Sequence, residues 1–237
     1  MANRAVPVSQ RRAWASIRAG CRAALRRIDL RVEGAEHVPA TGPVVIAARH
    51  FHHLYDGCAI LDAVPRPVHV VVALDWAQNP VGHRLMTGLC RAAGWPVVPR
   101  PDDGNDRRGQ EADATATARL RAATREAVAL LRAGRPLLVF PEAYPTVDPG
   151  FTPKSGDDEI LPFRPGFVRL AALAERDGRT RVPIVPAGLE YARGERWRLT
   201  LRFGPPVSLA PGMPHDEVVR EVESRVRLLS GRPDHRS

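Results

Sequence analysis

Residues 44–58 read Val-Val-Ile-Ala-Ala-Arg-His-Phe-His-His-Leu-Tyr-Asp-Gly-Cys. A short apolar run ends at Ala48, and three histidines and one aspartate follow between positions 50 and 56. This pattern predicts a buried strand that delivers titratable groups to its end. In open α/β sheets, groups at the carboxyl ends of strands gather into sites. The alternative reading is a polar surface loop whose histidines are packed by their neighbours.

His50 and Asp56 are the candidate general base and the group that orients it. Histidine changes charge near neutral pH, and a nearby carboxylate fixes its tautomer and stabilises its protonated form. His50 directly follows the predicted strand, which places it at the sheet edge where sites form.

The same cluster also fits a metal site of a hydrolase. Its ligands would be His50, His52, His53 and Asp56, since histidine and carboxylate ligands with an open position suit such chemistry. However, the adjacent His52 and His53 point apart in an extended segment, and no second ligand cluster follows downstream. We therefore predict that no metal is bound.

The length and cysteine content indicate one intracellular domain. A chain of 237 residues fits a single sizeable α/β domain or two small ones. Its three cysteines are odd in number and widely spaced, so they predict no disulfide framework and a reducing compartment. No apolar run approaches the ~20 residues that span a bilayer, and the first residues have no secretory apolar core. We expect a cytoplasmic protein that is peripheral on the inner face of the cell membrane.

The net charge of +9, carried mostly by arginine, suits an anionic partner. Nucleic acid, an acidic membrane face and phosphorylated small molecules all meet that description. Aromatic residues make up only 5% of the chain, and no nucleic-acid-binding motif is recognisable. We therefore predict an anionic membrane surface as a partner and no nucleic acid.

Residues 1–28 are predicted to form a basic amphipathic N-terminal helix, regular from residue 9. Trp14, Ile17, Cys21 and Leu25 recur on one face, and arginines occupy the rest. Such a helix can lie in a membrane interface with its arginines on lipid phosphates. It can also pack its apolar stripe on its own domain, which is commoner in globular proteins. The two uses are compatible if the stripe is only partly covered.

The rest of the chain alternates between strand and helix patterns. Strands are predicted at 44–48, 68–74, 136–140, 182–188 and 197–203, and helices at 80–93, 113–133, 167–176 and 214–229. This alternation predicts one α/β domain over 29–229, with a largely parallel, mixed central sheet flanked by helices. Residues 230–237 are predicted to form a flexible tail.

Four blocks in this order resemble the glycerolipid acyltransferase family. They are His50 to Asp56, Gly94 to Arg100, Phe140-Pro141-Glu142, and Val182-Pro-Ile-Val-Pro186. The family's pattern is Asn-His-x4-Asp, Gly-x-Ile-Phe-Ile-x-Arg, Phe-Pro-Glu-Gly-Thr-Arg and Val-Pro-Ile-x-Pro. The resemblance covers roughly residues 30–210 and includes the members that acylate lysophosphatidate and glycerol 3-phosphate.

The resemblance implies transfer of a fatty acyl group from acyl-CoA or acyl-carrier protein to an alcohol on a lysophospholipid or glycerol phosphate. In that reaction His50 takes the proton of the acceptor hydroxyl, and Asp56 holds the imidazole. Arg100 would bind the acceptor phosphate and Glu142 its glycerol hydroxyls. The acyl carrier is a co-substrate, so no cofactor is expected.

Three departures from the family pattern keep alternatives open. Five residues separate His50 from Asp56 where the family has four, so His52 or His53 is an alternative base. Arg49 replaces the family's asparagine. In the third block, Ala-Tyr-Pro stands where Gly-Thr-Arg is usual, which removes a basic phosphate ligand; Arg164 or Lys154 would then take its place. The irregular spacing also permits an inactive relative that only binds lipid.

Overall fold

A computed structural model describes residues 8–74, 79–99, 110–148, 151–210 and 212–231. The helices are α1 (Val8–Leu25), α2 (Tyr55–Ala63), α3 (Pro80–Ala93), α4 (Gln110–Arg132), α5 (Gly166–Glu175) and α6 (His215–Leu229). The strands are β1 (Ile28–Glu33), β2 (Val44–Ala48), β3 (His69–Val70), β4 (Pro136–Val139), β5 (Ile184–Ala192) and β6 (Trp197–Phe203). A short 3-10 helix spans Ala35–His37.

The six strands form one sheet in the order β1-β6-β5-β2-β4-β3. β2 pairs in parallel with both β4 and β5, and β3 pairs in parallel with β4. β6 runs antiparallel to β5, and β1 is parallel to β6. The predicted α/β fold with a mixed, largely parallel sheet is confirmed. The carboxyl ends of β2, β3, β4 and β5 consequently share one edge of the sheet.

Helices cover both faces of the sheet. Every residue of β2 is buried, and alternate β2 side chains enter two different cores. Val44, Ile46 and Ala48 pack with residues of α1 and α2, whereas Val45 and Ala47 pack with residues of α4, α5 and α6. A strand buried on both faces reads as a continuous apolar run, which is why this segment lacks the alternation of a half-exposed strand.

The basic helix α1 packs on α2. Its Cys21 and Leu25 are buried in the core. At the rim of this contact, the guanidinium Nε atoms of Arg18 and Arg22 lie 3.3 and 2.7 Å from Asp62 Oδ1. The apolar stripe of α1 therefore packs on its own domain, which is one of the two uses considered, and the ion pairs of Arg18 and Arg22 add to that contact.

None of the helices in the described ranges is long and apolar enough to cross a membrane. At the other end of the chain, Ser230 is buried, and its hydroxyl donates to the Val226 carbonyl over 2.7 Å. Most of the predicted tail, residues 232–237, lies outside the described part.

Candidate active site

The carboxyl end of β2 places His50 beside Asp56. His50 follows the strand after one residue, and Asp56 lies in the first turn of α2. His50 Nδ1 is 3.0 Å from Asp56 Oδ2. The Asp56 side chain is fully buried, while 14% of the His50 side chain remains exposed. A buried carboxylate therefore holds one nitrogen of a ring that solvent still reaches.

The extra residue between His50 and Asp56 is absorbed by the turn that precedes α2. In this turn the N–H groups of Leu54 and Tyr55 donate to His52 Nδ1 over 3.2 and 3.4 Å. His52 thereby serves as an acceptor for main-chain groups that a helix leaves unpaired at its start. Although the spacing departs from the family pattern, the His50–Asp56 contact forms.

Asp56 accepts four hydrogen bonds in the described structure. Besides the His50 ring, the N–H groups of Phe51 and His52 donate to Oδ2 over 2.6 and 2.8 Å. The Tyr191 hydroxyl donates to Oδ1 over 2.7 Å. Hydrogen bonds to the ionised form of a carboxylate stabilise that form and fix its orientation.

The His50 ring is held by Asp56 at its edge and by Phe140 at its face. Phe140 stacks on it with ring centroids 4.1 Å apart and planes 16° from parallel. With Nδ1 engaged by Asp56, the nitrogen available to a substrate is Nε2. Within the described part of the chain, no group hydrogen-bonds this nitrogen.

A buried ion pair holds the main chain of His50. Glu142 follows β4, and its Oε1 accepts from the His50 N–H over 2.6 Å. Lys154 Nζ donates to the His50 carbonyl over 2.7 Å and lies 2.6 Å from Glu142 Oε2. Both charged side chains are fully buried. Burial lowers the pKa of Lys154, an effect that the nearby Glu142 carboxylate opposes.

The structure describes one of the two other predicted substrate ligands. Arg164 lies close to the site, because its N–H donates to the carbonyl of Pro141, directly before Glu142. Arg100 lies outside the described residues. Glu142 was predicted to bind substrate hydroxyls, but its two oxygens are engaged by His50, by Lys154 and by the N–H of Leu161, 2.9 Å from Oε2.

This geometry gives little support to a metal site formed by the histidine cluster and Asp56. The rings of His52 and His53 stack on each other at 4.7 Å, and His53 Nδ1 lies 3.2 Å from the Val147 carbonyl oxygen. No group of three or more metal-ligating side chains comes together among the residues that the structure describes.

A family model described as Acyltransferase matches residues 29–190, more than half of the chain. The chain belongs to the acyltransferase family. The match includes His50, Asp56 and Glu142. No curated protein matches the acyltransferase described here.

Among solved structures, the acyltransferase is similar to PlsC, the 1-acyl-sn-glycerophosphate (LPA) acyltransferase from Thermotoga maritima. The TM-score is 0.63 at 20% sequence identity, over 92% of this chain and 78% of that one. At this identity the likeness shows a shared fold.

Ala143, directly after Glu142, adopts a strained backbone. Its φ is 67°, in the left-handed region, where the family pattern has glycine. A non-glycine residue in this region lowers the free energy of unfolding by about 1–2 kcal/mol. Glycine removes this strain, but its greater conformational entropy in the unfolded state offsets part of the gain. We expect Ala143→Gly to raise the free energy of unfolding by roughly 0.5–1 kcal/mol in urea denaturation. As a control, Ala129→Gly on the exposed face of α4 should lower it by about 1 kcal/mol; a destabilised Ala143→Gly would contradict the strain.

Two residues of the site escaped the sequence analysis. Tyr191 is 135 positions from Asp56 along the chain, and no local pattern connects them. Lys154 was considered only as a phosphate ligand, because it lies in a polar insert that resembles an exposed loop. Its proline and glycine neighbours indicate a turn and say nothing about burial.

Proposed function

We propose that this acyltransferase moves a fatty acyl group from acyl-CoA or acyl-carrier protein to a hydroxyl of a lysophospholipid or glycerol-phosphate acceptor. The observation that carries the proposal is the 3.0 Å contact between His50 Nδ1 and Asp56 Oδ2 at the carboxyl edge of the sheet. The family match supports acyl transfer, and the four sequence blocks support a glycerolipid acceptor.

The proposed chemistry needs one base and no enzyme nucleophile. His50 Nε2 removes the proton of the acceptor hydroxyl while its oxygen attacks the thioester carbonyl. The tetrahedral intermediate collapses, the carbon–sulfur bond breaks, and the thiolate leaves with the proton that His50 had taken. Asp56 stabilises the imidazolium that exists between the two proton transfers. The products are an ester and the free thiol of the carrier.

In this proposal the charged groups have separate tasks. Arg100 and Arg164 are the proposed ligands of the acceptor phosphate, since a guanidinium grips phosphate with two hydrogen bonds. Glu142 has its oxygens committed to protein groups. We therefore assign it to holding the His50 main chain in place of the glycerol hydroxyls first considered.

An anionic membrane surface on the cytoplasmic side is the proposed working location. Arg11 and Arg12 of α1 and Arg26, directly after this helix, are exposed, and on α3 the exposed fractions of Val81 and Leu85 are 74% and 72%. Exposed arginines with protruding apolar side chains match a phospholipid surface, where charges meet phosphates and apolar groups meet the acyl boundary.

The proposal is tested by following a labelled palmitoyl group from palmitoyl-CoA and from palmitoyl-carrier protein. The acceptors are lysophosphatidate, glycerol 3-phosphate and lysophosphatidylcholine, each presented with and without anionic vesicles. We expect an ester product with at least one phosphorylated glycerol acceptor. Thioester hydrolysis with no ester product, or no turnover with any pair of substrates, would count against the proposed function.

A further inference from the structure

The Asp56 carboxylate is held from two sides by different parts of the chain. On one side, Oδ2 receives its three donors from residues 50–52. On the other side, Oδ1 receives the Tyr191 hydroxyl over 2.7 Å. Tyr191 lies on β5, the neighbour of β2 in the sheet. This hydroxyl is therefore the donor that reaches Asp56 from outside the His50–Asp56 segment.

An aromatic cluster fixes the ring of Tyr191. Phe51 stacks on it with centroids 4.3 Å apart, and Trp197 meets it edge-on at 5.9 Å. Aromatic pairs of this geometry prefer a defined orientation of the rings. Burial, and then the nearby Asp56 charge, raise the pKa of Tyr191 well above its ordinary value. The hydroxyl consequently keeps its proton and remains a donor to Asp56.

We infer that Tyr191 is a positioning residue for the acyl transfer, acting through Asp56 on His50. This inference rests on the proposed function. With a donor on each oxygen, the carboxylate cannot rotate away from the imidazole without losing hydrogen bonds on both sides. The hydroxyl also withdraws negative charge from the carboxylate, which limits how strongly Asp56 stabilises a protonated His50.

Other titratable or charged groups border the pair and are not altered by a substitution of Tyr191. They are Arg49 and His52 in the loop after β2, Cys58 on α2, Glu142 after β4, and Lys154 in the insert that follows. A change in the proton affinity of His50 in Tyr191→Phe is therefore attributable to the loss of the hydroxyl.

Tyr191→Phe tests the inference because it keeps the aromatic contacts and removes the hydroxyl. We expect kcat to fall about 10-fold with KM nearly unchanged, since the hydroxyl is engaged by Asp56. The acid limb of the pH–rate profile should move to higher pH, because a carboxylate with one donor fewer favours the imidazolium. Tyr55→Phe, which removes another phenolic hydroxyl near the same loop, should leave both quantities unchanged.

Two further measurements make the outcome decisive. In the Asp56→Asn background, Tyr191→Phe should cause no further loss, since the two residues act as one unit. In an NMR titration without substrate, the midpoint of the His50 imidazole should rise in Tyr191→Phe. An unchanged midpoint and unchanged kcat in a folded variant would overturn the inference. A raised His50 midpoint in Tyr191→Phe, together with a wild type that transfers no acyl group, would support the Tyr191 contact and refute the proposed function.

Discussion

His50→Ala is expected to lower kcat/KM for acyl transfer by about 10³-fold, within the 10²–10⁴-fold range typical of a positioned general base. The reason is that Nε2 of His50 is the nitrogen left for the acceptor hydroxyl once Asp56 engages Nδ1 over 3.0 Å. The measurement is the initial rate of labelled ester formation at subsaturating acceptor. Thermal unfolding of the same preparation verifies that the variant is folded.

His52→Ala is the matched control for this prediction. The ring of His52 hydrogen-bonds no carboxylate among the described residues, and its Nδ1 accepts from the N–H groups of Leu54 and Tyr55. We expect its substitution to change the rate by only a few-fold. Transfer that survives in His50→Ala and disappears in His52→Ala would assign the base to His52.

Lys154→Met is expected to destabilise the protein by about 3–5 kcal/mol, because it leaves the Glu142 carboxylate buried without its counter-ion. The 2.6 Å contact of Lys154 with Glu142 and the 2.7 Å hydrogen bond to the His50 carbonyl are lost together. We therefore expect the transfer rate to fall as well. Urea denaturation at neutral pH measures the free energy of unfolding.

The double variant Lys154→Met/Glu142→Gln separates the charge effect from lost packing. It removes both charges and leaves an amide oxygen that can still accept the His50 N–H. We expect it to be more stable than Lys154→Met by at least about 1 kcal/mol, since a neutral pair avoids an uncompensated buried charge. If the double variant is less stable than Lys154→Met, the uncompensated charge of Glu142 is not the cause of the destabilisation.

The sequence was informative wherever local pattern decides structure. The apolar run at 44–48 became the central strand β2 without a change of boundary. The strand predicted at 68–74 is shorter, with β3 limited to His69–Val70. At the edge of the sheet it has one strand partner, β4, and an isolated bridge between Val72 and Val97 continues the pairing. β-branched composition predicts an extended chain but not how far its pairing continues.

The site was predictable in its local pair and unpredictable in its long-range contacts. His50 and Asp56 are close in sequence, so a turn brings them together. The sequence did not predict the form of that turn. Tyr191 and Lys154 reach the pair from β5 and from a polar insert. Their roles depend on strand order and on the path of the insert across the sheet edge, which neither periodicity nor composition encodes.

Asp56→Asn tests most directly whether the His50–Asp56 pair performs the chemistry. The amide oxygen can keep the three donors of Oδ2, and the amide nitrogen can face the Tyr191 hydroxyl, so the fold should persist while the charge is lost. We predict that the initial rate of labelled acyl transfer falls on the order of 10²-fold with an unchanged melting temperature. A rate within a few-fold of the wild type, in a folded protein, would contradict the assignment of His50 and Asp56 as base and orienter.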